Sequence, residues 1–211
     1  EEKLGGKIAT RLGNGLAPLE PGETDTVIIA GMGGDLICKI LKAKPEFLIE
    51  GKEFILQPQS EWFKIRRLLK EYHYQIEKEW FLKEDGKYYV IIKAEPAWTQ
   101  PQRLKHQQPS IHEYIKEISE IPVNQAVSEK DMESIYEQYG KYLIETKNPV
   151  LKEYLEKEIT KKESIAAELK QSIKEIESEE LSGKERGNIA KRQRRYQEIQ
   201  KEIRDMRKAI G

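Results

Sequence analysis

This sequence predicts an α/β fold, a wound sheet with helices, followed by a long antiparallel helical hairpin, and three observations carry that expectation. Thr26-Val27-Ile28-Ile29-Ala30 is a continuous apolar run, as expected of a strand covered on both faces. A glycine turn and an amphipathic stretch follow it, and strand and helix signals then alternate. Beyond residue 128, apolar residues recur at helical and heptad spacing through two long stretches.

Taken in order, residues 7–12, 25–30, 53–56, 74–83 and 87–94 read as strands, rich in β-branched and aromatic residues and bounded by Gly, Pro or Asp. Residues 35–42, apolar at Leu36, Ile37, Ile40 and Leu41, read as a short amphipathic helix with Asp35 as its N-cap. Residues 60–72 read as a second helix, with Ser60 as N-cap and Phe63, Leu68 and Leu69 inside. Glu84-Asp85-Gly86 is a hairpin turn signal, so the last two strands are expected to be antiparallel. Pro96, Pro101 and Pro109 mark the end of the sheet region, dividing the chain into an α/β part (residues 1–96), a linker (97–127) and a helical part (128–211). In the helical part, Leu151, Leu155, Ile159, Ile165, Leu169, Ile173 and Ile176 form one stripe. Ile189, Tyr196, Ile199, Ile203, Met206 and Ile210 form another, with Ser182-Gly183 as the turn between antiparallel, coiled-coil neighbours.

Of the 211 residues, Lys+Arg and Asp+Glu number 37 each, so net charge predicts neither a nucleic-acid binder nor a binder of acidic ligands. Its distribution is more telling. Residues 181–211 carry ten basic against four acidic residues, whereas 150–180 carry six against nine. Cys38 is the only cysteine, which excludes an intrachain disulfide and suits a reducing, cytoplasmic setting. No apolar run approaches a membrane span. His73, His106 and His112 lack metal-ligand spacing, so no metal is expected. Trp62, Trp80 and Trp98 read as packing anchors rather than base-stacking platforms.

Three loops stand at the expected C-terminal ends of strands, where open α/β sheets bind ligands: Gly13-Asn14-Gly15, Gly31-Met32-Gly33-Gly34 and Gln57-Pro58-Gln59. Glycines let backbone approach a flat ring, and the following helix N-terminus adds partial positive charge. Pro58 fixes φ between two amides suited to reading base edges. Each loop alone also describes an ordinary turn. None is a G-x-G-x-x-G fingerprint or a phosphate loop.

Together the motifs resemble a known family. Arg11-Leu12-Gly13-Asn14-Gly15-Leu16, the stretch 25–34 with its Ala30-Gly31-Met32-Gly33-Gly34 end, Ile55-Leu56-Gln57-Pro58, the stretch 84–89 and Ala94-Glu95-Pro96 are similar to the bacterial tRNA (adenine-N1)-methyltransferases of the TrmK type, which modify position twenty-two of tRNA. Lys147-Asn148-Pro149-Val150-Leu151 looks like the start of that family's C-terminal coiled coil. The resemblance implies a partial class I, Rossmann-like methyltransferase sheet and S-adenosylmethionine as cofactor. It implies that Asn14 and Gly15 lie near the cofactor adenine, with Ala30, Gly31, Met32 and Gly33 facing the methyl and the target base. Gln57, Pro58 and Gln59 would border the pocket of a base drawn out of its stack. Asn14 stands where the family often has Asp, which removes a charge but keeps an acceptor. No catalytic acid or base is assigned.

The family's first strand, with its acidic glycine loop, and the acid after its second strand are not in this sequence. The chain is therefore expected to enter the fold at its third strand, to leave residues 26–30 with a free edge, and to bind the cofactor weakly by itself. At the C-terminus, Lys191, Arg192, Arg194 and Arg195 form a tight basic cluster, either a solvated helix face or a set of tRNA phosphate contacts. The competing expectations are a noncatalytic RNA-binding or interaction module on a degenerate methyltransferase fold, and another nucleotide-using α/β enzyme.

Overall fold

The computed structural model describes residues 8–97, 123–177 and 183–211. Two compact units divide the chain, one of Glu1–Trp80 with Tyr89–Pro122 and one of Phe81–Tyr88 with Val123–Gly211.

The first unit is built around a mixed sheet. Its elements are β1 (Thr26–Met32), α1 (Gly34–Ala43), α2 (Pro45–Ile49), β2 (Glu53–Pro58), α3 (Trp62–Glu71), β3 (Tyr74–Glu84) and β4 (Lys87–Pro96), in strand order β1-β2-β4-β3. β1 and β2 are parallel, with Thr26 opposite Glu53 and Ala30 opposite Gln57. β4 runs antiparallel to β2, pairing Phe54 with Ala94 and Leu56 with Ile92. The β3–β4 turn places Asp85 and Gly86 at φ of +47° and +76°, the two positive values that a tight two-residue hairpin demands.

Several expectations need correction. Residues 8–12 form no strand, and Lys7 lies outside the described residues. A strand exists only in a ladder; here the Arg11 guanidinium instead donates to both Glu23 carboxylate oxygens at 2.5 and 2.7 Å and to the Pro18 carbonyl, closing a loop. β1 is an edge strand, and among the described residues only one of its faces is covered. Val27 and Ile29 are buried, whereas Ile28 is 67% exposed. In α1, Ile37 and Leu41 are buried but Leu36 points outward. Gly33, not Asp35, occupies the N-cap of α1, and Asp35 lies in its first turn. Ser60 does not cap α3; that place belongs to Glu61, in the left-handed region at φ +54°. Phe63 is only half-buried, and Ile65 joins Leu68 and Leu69 inside. Helix α2 was not expected, although Pro45 at its first turn is a start signal. It buries Phe47 and Leu48, whose carbonyls accept the Tyr74 hydroxyl.

The second unit contains α4 (Val123–Tyr139), α5 (Lys141–Glu145), α6 (Pro149–Glu177) and α7 (Gly183–Ile210). Helix α4 begins inside the stretch 97–127 expected as linker, and residues 98–122 lie outside the described ones. Asn148 caps α6, its Oδ1 accepting the Val150 and Leu151 amides at 3.0 Å. The tip of the β3–β4 hairpin belongs here too: Phe81, Tyr88 and Tyr154 pack ring against ring at 5.0 to 5.8 Å. Glu153 accepts from Lys83, Lys157 and the Tyr88 hydroxyl. Those lysines, Lys157 foremost, hold its carboxyl down at about 2.

Helices α6 and α7 are antiparallel, since Lys162 pairs with Glu202, Glu163 with Arg207, and Ser172 with Arg192. Ala166, Ile199 and Ile203 form the buried seam, flanked by Ile159, Leu169 and Tyr196. Ile165 is 46% exposed, against expectation. The heptad alternation of three and four residues running through Ile159, Leu169 and Ile173 passes through Lys162 and Ala166. The seam thus takes a small apolar residue and a lysine stem, and the more apolar neighbour falls one position outside. Ile165→Lys is accordingly expected to change stability by less than about 0.5 kcal/mol. Ala166→Lys, which overpacks the seam, is expected to cost about 2 kcal/mol. Urea unfolding of the two variants checks the register, and equal effects contradict it.

Candidate active site

The end of β1 is irregular. The register runs from Ala30 opposite Gln57 directly to Met32 opposite Pro58, leaving Gly31 as the extra residue of a bulge. Gly31 sits at φ +79°, and a Cβ added there would meet nothing within 4 Å. Its amide donates to Gln57 Oε1 at 2.8 Å. Pairing resumes beyond Pro58, where the Gln59 amide donates to the Met32 carbonyl and the Gly34 amide to the Ser60 carbonyl, both at 2.9 Å. A Cβ on Gly34 would lie 2.6 Å from the Glu61 carbonyl oxygen and 2.7 Å from that of Ser60, so only glycine lets the two loops touch. The glycine turn and the prolyl-amide loop are thereby joined at the C-terminal ends of parallel strands, with Ala30, Gly31 and Met32 exposed and Gly33 half-buried.

Among the described residues the remaining loop is not joined to them; it packs against the second half of α1. Gly15, at φ +56°, lies so close to Ile40 that an added Cβ would come within 2.7 Å of its Cγ2. Asn14 is exposed, and its carbonyl accepts the Ala17 amide in a turn. The fold therefore gathers Ala30, Gly31, Met32, Gly33, Gln57, Pro58 and Gln59 around the start of α1, whereas Gly15, with Asn14 before it, packs beside Ile40 in the second half of that helix. Exposed backbone and clear space over Gly31 suit a flat nucleoside.

Charges at this junction serve to hold it. Asp35 pairs with Lys39 at 2.8 Å and Lys64 at 2.9 Å, and the Asp35 amide donates to Glu61 Oε2. Lys39, then Lys64, keeps the Asp35 carboxyl at about 2, below its ordinary 3.8. The pairing is thus complete above that ordinary value and lost only as pH falls toward 2. Burial pushes the Cys38 thiol up, away from the thiolate a nucleophile requires. Sequence reasoning missed Ser60, Glu61 and Lys64 as the joining residues.

The basic cluster belongs to the other unit, and the structure divides it. Lys191, Arg194 and Arg195 are exposed, but Arg192 turns into the α6–α7 seam, where it donates to the Ser172 hydroxyl. Arg194 pairs with Glu198 at 3.4 Å, and Arg195 with Glu198 and Glu202 at 3.2 and 3.3 Å. A depression of about 410 Å³ lies at the opposite end of the sheet from the glycine turn, lined by Asp25, Glu50, Gly51, Lys52, Glu53, Glu95 and Pro96. Lys93, bonded to Glu53, Glu77 and Glu95, neutralises much of that end. Among the described residues no cluster could hold a metal ion, and no helix is long and apolar enough to cross a membrane.

A curated tRNA (adenine(22)-N(1))-methyltransferase of Bacillus subtilis is 41% identical over 92 residues, which are 44% of this chain and 39% of that protein. The match thus spans well under half of the relative's length. A Streptococcus agalactiae protein of the NADB-Rossmann superfamily superposes with a TM-score of 0.62 at 21% identity, over 99% of this chain and 70% of its own. The structure of M. capricolum TrmK with S-adenosyl-homocysteine gives a TM-score of 0.58 at 22% identity, over 99% of this chain and 72% of its own. These two likenesses establish the shared α/β fold. The family model described as TrmK, tRNA (adenine(22)-N(1))-methyltransferase, matches residues 1–126, and the chain belongs to that family.

Proposed function

We propose that this chain serves S-adenosylmethionine-dependent methylation of adenine N1 at position 22 of tRNA, in the cytoplasm. The single observation that supports this reading is the joining of the Ala30–Gly33 turn to the Gln57–Gln59 loop, with open space over Gly31. Residues 1–96 act as the methyltransferase portion and the helices of 128–211 as the part that engages tRNA.

Asn14 and Gly15 meet the adenine of the cofactor, and Ala30, Gly31, Met32 and Gly33 form the floor beneath the reacting centre. When bound, S-adenosylmethionine supplies an activated methyl group. Adenine N1 is nucleophilic at neutral pH, so the chain's task is to hold it in line and exclude water, with no strong base required. Gln57, Pro58 and Gln59 border the pocket of the flipped base. Lys191, Arg194 and Arg195 contact tRNA phosphates. Arg192 supports that helix from within the seam.

The test is methyl transfer by the full-length protein to an unmodified transcript, with the position of the block to reverse transcription read out. A cofactor-dependent stop at adenine 22 supports the reading, and its absence refutes it. Arg194→Ala with Arg195→Ala is expected to weaken tRNA binding and to lower the slope of log K against log salt by about 1 to 2. An unchanged slope in filter binding removes these arginines from the tRNA interface.

A further inference from the structure

We propose that Gln57 is a positioning residue, which sets the orientation of the Ala30–Gly31 peptide and through it presents the Ala30 carbonyl as an acceptor for a donor group on the ligand. The inference rests on the reading of this turn as the floor of a methyl-transfer site.

The bulge removes Gly31 from the β1–β2 ladder, and its amide would otherwise lack the acceptor a regular strand supplies. Gln57 Oε1 fills that place from the side chain, at 2.8 Å. The amide's orientation is not arbitrary, because the Gly31 N–H can only face oxygen. The other end of the side chain, Nε2, is buried without a partner among the described residues. A buried amide group left unpaired is costly, so the conformation is held by the Gly31 bond rather than by its surroundings.

A trans peptide is planar, with its N–H and C=O pointing in opposite directions. Drawing the Gly31 N–H toward β2 therefore turns the Ala30 carbonyl of the same unit away from β2. Among the described residues, Ala30 is exposed and a Cβ built on Gly31 would meet nothing within 4 Å, which leaves room for a ligand beside that carbonyl. A carbonyl accepts and cannot donate, and its complement on a purine is an exocyclic amine. The side chain that sequence alone assigned to the base thus acts on the backbone, and the backbone meets the base.

The experiment uses the full-length protein with Gln57→Met, which keeps the size but loses the acceptor, and Gln57→Glu, which keeps an acceptor. Methyl transfer to the tRNA transcript and exchange of the Gly31 amide with solvent are both measured. Gln57→Met is expected to lower kcat by on the order of 10-fold to 100-fold, with the cofactor KM changed by less than about threefold. Gly31 exchange should accelerate at least about tenfold, and Gln57→Glu should restore much of both. Wild-type kcat and Gly31 protection in Gln57→Met overturn the proposal. So does Gln57→Glu as impaired as Gln57→Met, or a loss that falls wholly on KM. If the wild-type protein transfers no methyl group, the functional reading fails by itself, and Gly31 exchange in the same variants still decides whether Gln57 holds the peptide.

Discussion

Replacing Gly34 with alanine is expected to destabilise the protein by about 3 kcal/mol, near the upper end for overpacking a closed contact. The reason is the identity of what the new methyl group would strike. Both oxygens within 2.7 Å are backbone carbonyls, of Ser60 and Glu61, and neither can swing aside as a side-chain tip would. Relief requires α1 and the start of α3 to separate, which also breaks the 2.9 Å bond from the Gly34 amide to Ser60. Gly33→Ala provides the contrast. Gly33 has an ordinary φ of −64°, and its added Cβ would meet only the Ser60 hydroxyl, at 3.2 Å. A cost under about 1 kcal/mol is expected there. Urea unfolding of the two variants compares them, and a Gly34→Ala protein as stable as Gly33→Ala contradicts the close approach.

Removing the guanidinium of Arg66 is the second large effect. Arg66 and Glu79 are 4% and 2% exposed, and Arg66 Nε donates to Glu79 Oε1 at 2.8 Å. Arg66→Ala leaves a carboxylate in a dry interior without its counter-charge, at a cost of about 3 to 5 kcal/mol. Burial already pushes the Glu79 carboxyl above its ordinary 4.5, with Arg66 opposing the shift. Without Arg66 the rise is larger, and the sign of the pH dependence follows. Above 4.5 the unfolded chain gives up this proton while the folded chain retains it, so stability falls as pH rises through that window. The variant should therefore be weakest at neutral pH and recover as pH falls toward 4.5. Arg66→Met with Glu79→Leu, which removes both charges, should recover most of the loss. Equal destabilisation at both pH values, or a double variant no better than the single, contradicts the account.

What the sequence disclosed follows the reach of local signals. The four strands and the helices α1 and α3 were legible because β-branched runs, Gly and Pro boundaries and amphipathic spacing are short-range properties. The Asp85-Gly86 turn was legible for the same reason. Residues 7–12 carry a strand pattern, yet a pattern cannot supply a ladder partner, and Arg11 closes the segment on Glu23 instead. The run 27–30 is apolar at every position, and only topology decides that, among the described residues, one face of this edge strand lies open at Ile28. Ile165 misled because hydrophobicity was counted where heptad phase mattered. At the site, the three loops were visible as residues that free or restrain the backbone. The joining of the second and third of them depends on Gly34 against Ser60 and on Gln57 against Gly31, contacts 26 residues apart that no spacing rule encodes.

The most direct measurement is the amide spectrum of the full-length protein as S-adenosylhomocysteine is added. The largest shifts are expected at Asn14, Gly15, Gly31 and Gly33, with smaller ones along the Gln57 and Gln59 loop. Shifts confined to the depression around Glu50 and Glu95, or saturation with the Gly31 and Gly33 signals unmoved, would contradict the placement of the cofactor on this turn.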